Sequence, residues 1–139
     1  SGCGCTDPSD AGWFGRERGA HWLSVEIGNI HGAISAAKKN EKKVAARLNI
    51  EHLEKINRAA PVPLVLHGGT GIRRVYILDA IAHGIAKINV ATATRQPYER
   101  TLAETGSVDK ARDAVYKAVL EVLKTELCLE NSADTLDSQ

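Results

Sequence analysis

The sequence of 139 residues predicts an α/β fold on a parallel sheet, and three features predict it. Three short apolar runs stand out, two leading into glycine with histidine and the third into asparagine and threonine. Stretches of helical periodicity separate them. Strand, helix, strand, helix, strand, helix at this spacing implies right-handed βαβ units.

The first run is Trp22 to Ile27, which leads into Gly28-Asn29-Ile30-His31-Gly32. Next, Ile50, Leu53, Ile56 and Ala59 recur at i, i+3, i+6 and i+9, the pattern of an amphipathic helix. Leu64-Val65-Leu66 is a continuous apolar run of strand length, so it reads as a strand buried on both faces. Val75 to His83 is apolar on one face and stops at Gly84, a residue suited to a helix C-terminus. Gly84 to Thr92 then reads as a third short buried strand running into Asn89 and Thr92. Val108 to Leu127 reads as an amphipathic closing helix, with Ala111, Ala114, Val115, Ala118, Val119, Val122 and Leu123 on its core or interface stripe. The polar stretch from Asn131 to Gln139 reads as a frayed end.

Chemistry concentrates in Pro63-Leu64-Val65-Leu66-His67-Gly68-Gly69-Thr70-Gly71. A histidine at a strand end is held by rigid backbone. The glycines after it can take up positive φ and let main-chain N–H groups approach an anion. Two readings follow: a metal ligand beside a phosphate cradle, or a strand-to-helix turn with a satisfied histidine. His31 stands in a second Gly-rich strand end, which favours the first.

Three motifs in order resemble the C-terminal half of the class II, zinc-dependent fructose/tagatose-bisphosphate aldolase family. They are Ile27-Gly28-Asn29-Ile30-His31-Gly32, Pro63 to Gly71, and Gly84-Ile85-Ala86-Lys87-Ile88-Asn89-Val90-Ala91-Thr92, with Thr6-Asp7-Pro8 upstream. The resemblance implies that residues 1–139 are a partial TIM (β/α)8 barrel domain without its N-terminal half, holding about strands six to eight. Barrel active sites lie at the carboxyl ends of the strands, and the loops after strands seven and eight often hold phosphate.

What the resemblance implies for the site is specific. His31 and His67 would be two of three histidine ligands to Zn²⁺, and Gly32, Gly68, Gly69, Thr70, Asn89, Val90, Ala91 and Thr92 would bind the substrate phosphate. The reaction would be cleavage or formation of a ketose 1,6-bisphosphate with dihydroxyacetone phosphate, within glycolysis or related carbohydrate metabolism. The metal would serve as a Lewis acid. The family's catalytic aspartate and third zinc histidine lie in a Leu-Asp-His-Gly motif that these residues do not contain. No catalytic residue is therefore assigned, and the chain alone is expected to be inactive. Nor do His21, His52 and His83 replace the missing ligand. His21 precedes a strand, at the wrong end for the site. His52 lies in a charged helix, and His83 faces a helix dipole in the last turn. A non-catalytic fragment or remnant keeping only a phosphate-binding half-site is the competing reading. The missing portion is expected at the front, with the polar end as the natural C-terminus.

The charged segment Lys38 to Lys43 follows His31-Gly32. It corresponds to a mobile loop over the site in the family, and a solvated surface loop would have the same composition. Asn89-Val90-Ala91-Thr92 looks more like the tagatose branch, and Arg73-Arg74 stands where the family usually has proline and acidic residues. Fructose, tagatose and other phosphorylated ketoses are not separated by these residues.

A formal charge of +1 offers no electrostatic case for nucleic acid or membrane binding. No apolar run approaches a membrane span, and there is no signal-peptide pattern. A cytoplasmic enzyme, homo-oligomeric in its complete form, is expected from the resemblance. With 3 cysteines and no secretory signal, reduced thiols are expected. Cys3-Gly4-Cys5 has no second pair to complete a zinc site.

Overall fold

A computed structural model describes residues 4–28 and 48–136. His31, Gly32 and the segment Lys38 to Lys43 lie outside the described residues. The chain divides into two compact units, Ser1–Ala91 and Thr92–Gln139.

The first unit is an α/β layer, as the alternating sequence pattern requires. Strands β1 (Leu23–Val25), β2 (Leu64–Leu66) and β3 (Ile85–Ile88) form a sheet in the order β1-β2-β3, and both pairings are parallel. Leu23, Ser24 and Val25 stand opposite Leu64, Val65 and Leu66. Across β2 and β3, Leu64 pairs with Ile85, then an irregularity sets Val65 opposite Lys87 and Leu66 opposite Ile88. The central strand is buried throughout, as a continuous apolar run predicts.

Helices α1 (Pro8–Glu17), α2 (Ile50–Ala59) and α3 (Arg74–Ala82) complete this unit. Asp7 starts α1: its carboxylate accepts from the N–H groups of Ser9 at 2.7 Å and Asp10 at 3.2 Å, and Pro8 opens the first turn. Asn49 does the same for α2, accepting from the His52 N–H at 3.0 Å. Leu53 and Ile56 from α2 are fully buried, as are Val25 and Ile27 around β1 and Leu64 and Leu66 in β2. Burial of each such side chain contributes about 2 kcal/mol by the area removed from water. Helix α3 begins one residue before the apolar pattern and ends at His83, with Gly84 at φ +109° carrying the chain into β3.

The third strand departs from its expected burial: Ala86 and Lys87 are exposed and only Ile85 is buried. On β1, Ser24 is exposed likewise. One face of the sheet packs on helices while the other carries Ser24 and Lys87 toward solvent. Successive residues of a strand point to opposite faces, so an apolar run does not reveal that one of its faces is open.

The second unit contains α4 (Thr92–Thr105) and α5 (Val108–Glu121), which pack on one another. Helix α4 has no apolar periodicity in sequence and carries Pro97 inside it, so local rules do not announce it. Ser107 caps α5. The predicted helix Val108 to Leu127 is continuous, but its α-helical part ends at Glu121 and a π-helical turn, Val122–Glu126, follows. Ala111 and Val122 are buried on the predicted stripe, Ala114, Val115, Ala118 and Val119 are half-buried, and Leu123 is exposed.

Cys5 is disulfide-bonded and Cys128 is free. The expectation of reduced thiols is corrected for Cys5, since an argument from compartment carries no information on how near two sulfur atoms lie. Among the described residues no helix is long and apolar enough to cross a membrane.

Candidate active site

The carboxyl ends of β2 and β3 are tied together by backbone. The Asn89 N–H donates to the Leu66 carbonyl at 2.9 Å, and the Gly69 N–H donates to the Asn89 carbonyl at 2.8 Å. The loop that begins at His67 therefore folds back against the end of β3. Gly68 sits at φ +69°, a conformation that favours glycine. Gly69 is constrained for a different reason: a Cβ there would lie 2.6 Å from Ile88 Cγ2 and 3.0 Å from the Asn89 carbonyl oxygen. Its N–H is engaged by Asn89, so its role is to let the two loops meet. The Ile72 N–H then closes the turn on the Gly69 carbonyl at 3.2 Å.

His67 borders a cleft of about 480 Å³ whose other walls are Trp22, Ser24, Val65 and Lys87. These residues belong to one face of the sheet: Ser24, Val65 and Lys87 form a register row across the three strands. His67 and Asn89 each lie two residues further along the same face. The Lys87 ammonium donates to Asn89 Oδ1 at 2.6 Å. An imidazole, an amide and an ammonium thus share the carboxyl end of the sheet, and a cation there suits an anionic ligand.

Lys87 was not among the site residues named from sequence. Its signal was available: two residues before Asn89 on a strand, it must face the same way. Of the sequence-named residues, His67, Gly68, Gly69, Thr70, Asn89, Val90 and Ala91 lie in the first unit, and Thr92 is the first residue of α4 in the second. His31 and Gly32 fall outside the described residues.

Other described histidines have work elsewhere. His52 Nε2 lies 2.7 Å from the Thr6 carbonyl oxygen. His83 Nδ1 lies 2.7 Å from the Asp79 carbonyl oxygen, and its Nε2 lies 3.3 Å from Glu54 Oε1, which ties α3 to α2. Among the described residues no three acidic, histidine or cysteine side chains converge as a metal cluster. His67 fits one position of a zinc site in kind, as an imidazole at the rim of a cleft.

Comparison with known proteins places these features in a lineage. The profile of a family described as fructose-bisphosphate aldolase class-II matches residues 2–135. A fructose-bisphosphate aldolase of Streptococcus pyogenes is 38% identical over 101 residues, which is 72% of this chain and 32% of that protein. The crystal structure of the YdjI aldolase from Escherichia coli K12 superposes with a TM-score of 0.67 at 34% identity, covering 88% of this chain and 46% of that one. A putative fructose-1,6-bisphosphate aldolase from Coccidioides immitis superposes with a TM-score of 0.72 at 26% identity, covering 94% of this chain and 46% of that one. The chain spans about a third of the length of the curated relatives it matches, and about half of these solved chains.

Proposed function

Because the chain belongs to the class II fructose-bisphosphate aldolase family, we propose that it supplies the phosphate-binding and part of the zinc-binding end of an aldolase barrel. Its three parallel strands would be about strands six to eight of a (β/α)8 barrel, and residues 1–139 the C-terminal part of that domain. The complete enzyme would cleave or form a ketose bisphosphate, with dihydroxyacetone phosphate as one product. The observation that supports this reading best is the placement of His67, Asn89 and Lys87 on one face, at the carboxyl ends of adjacent parallel strands.

In this reading His67, with His31, holds Zn²⁺ through neutral imidazoles. The bound ion supplies a Lewis acid for a ketone carbonyl. Lys87 brings a positive charge to Asn89 and, by donating to Oδ1, holds its side-chain amide in orientation. Gly68, Gly69, Thr70, Asn89, Val90 and Ala91 shape the seat of the substrate phosphate, with Gly69 acting by letting the loops meet. Thr92 and Gly32 are carried as sequence assignments. Cleavage breaks the carbon–carbon bond joining the two halves of the sugar, the electron pair staying with the dihydroxyacetone phosphate half. The group that moves the proton belongs to the Leu-Asp-His-Gly motif absent from these residues.

The test is zinc content and ketose-bisphosphate cleavage, measured on this chain alone and after mixing with an N-terminal half-barrel bearing that motif. Activity should appear only on mixing, and His67→Ala should remove both zinc retention and cleavage from the mixture. A mixture shown to assemble that holds no zinc and cleaves nothing would support the second reading. In that reading the chain is a non-catalytic remnant that keeps only a phosphate-binding half-site.

A further inference from the structure

The active-site face carries one acidic side chain that neither the sequence motifs nor the proposed reaction employs. Val25 and Ile27 are fully buried on the helix side of the sheet, so Glu26 between them belongs to the opposite face, as Ser24 does. The register pairs Val25 with Leu66 and Leu66 with Ile88. Continued by one residue, it sets Glu26, His67 and Asn89 in a single row across the three strand ends. Adjacent strands lie about 4.8 Å apart, a separation that the two-carbon stem of a glutamate spans.

The backbone at Glu26 is held from its other side as well. Its N–H donates to Thr6 Oγ1 at 2.8 Å, and its carbonyl accepts from the Thr6 N–H at 2.9 Å. Thr6 in turn is tied to His52 through its carbonyl, 2.7 Å from Nε2. A half-buried carboxylate on a pinned strand end, in the row of a histidine, has the placement of an outer-shell partner.

We propose that Glu26 is the positioning residue for His67: its carboxylate accepts the N–H of one ring nitrogen and leaves the other nitrogen's lone pair directed into the site. An imidazole that donates to a carboxylate is locked in one tautomer and is a stronger metal ligand. The proposal rests on the zinc reading for its consequence, but not for its geometry.

The two are separated by two measurements on the chain itself. The first is the nitrogen-15 spectrum of the metal-free imidazoles, which reports which ring nitrogen of His67 carries the proton. His67 should show a single tautomer in the native sequence and a mixture in Glu26→Ala, with partial recovery in Glu26→Gln and Glu26→Asp, which keep an acceptor oxygen. A His67 spectrum unchanged in Glu26→Ala overturns the proposal. The second is Zn²⁺ affinity by competition with a chelator, where loss of the partner is expected to cost about tenfold or more. Affinity lowered by His67→Ala but equal to native in Glu26→Ala also overturns it. A tautomer change in the Glu26 variants, with zinc affinity unmoved even by His67→Ala, sustains the positioning role and sinks the zinc reading instead. Unchanged thermal unfolding of Glu26→Gln excludes general loss of structure as the cause.

Discussion

At residue scale, Gly69 shows how a sequence motif can be right about a position while the structure supplies another reason for it. A glycine after a strand-end histidine suggests close approach of backbone to an anion. The structure assigns its N–H to the Asn89 carbonyl and its missing Cβ to the contact with Ile88. A valine there would have to displace backbone as well as the Ile88 side chain. Gly69→Val should therefore destabilise the first unit by about 1–3 kcal/mol, the cost of overpacking, and weaken phosphate-ester binding as β3 is pushed away. Denaturant unfolding and phosphate-ester titration check the two effects. Native stability with weakened binding would return Gly69 to a purely ligand-facing role. Lys87 carries the complementary lesson: it was not named from the sequence, although period-two alternation from Asn89 places it on the same face.

At the scale of elements, helix starts are set by single residues because capping is local. Asp7 accepts two N–H groups of the first turn, first Asp10 and then Ser9 in order of effect, and these bonds hold its carboxyl below the ordinary aspartate range. A lowered folded-state value means the contribution is complete above the unfolded aspartate pKa. It is lost as pH falls through the lowered one. Asp7→Asn should keep α1 while flattening the acid limb of the stability profile, measured as Tm against pH. An unchanged acid limb would show that the cap does not couple to folding. Helix α4 was illegible for the converse reason. Its residues carry no local signal, and Pro97 argues against a helix, so its packing on α5 accounts for it.

At the scale of the molecule, the first unit presents apolar surface that a finished domain would cover. Trp22 is 52% exposed beside the cleft, and Val75, Leu78 and Ile81 are 60%, 47% and 51% exposed along α3. Ile77 and Ala80 already occupy the buried face of α3, so these three are apolar residues beyond it, of the kind ordinarily covered by a neighbouring element. The isolated chain should accordingly bind a hydrophobic dye, and mixing with an N-terminal half-barrel should suppress that binding. In a Trp13→Phe background, Trp22 emission should shift to the blue as the open face is covered. Emission unchanged in a mixture that does assemble would mean the partner docks elsewhere than on the sheet.

The sequence by itself determined the parallel α/β unit and the family, because these follow from periodicity and from motifs contiguous along the chain. It also marked His67 and Asn89, since glycine and histidine at a strand end are unusual enough to be read locally. Only the tertiary structure decided which residues of different strands stand side by side. The irregularity between Leu64 and Val65 sets Lys87 opposite Val65, and register then brings Ser24, Val65 and Lys87 into one row. Register is a relation between strands about forty and twenty residues apart in the chain, fixed by packing of the buried face, and no local pattern encodes it.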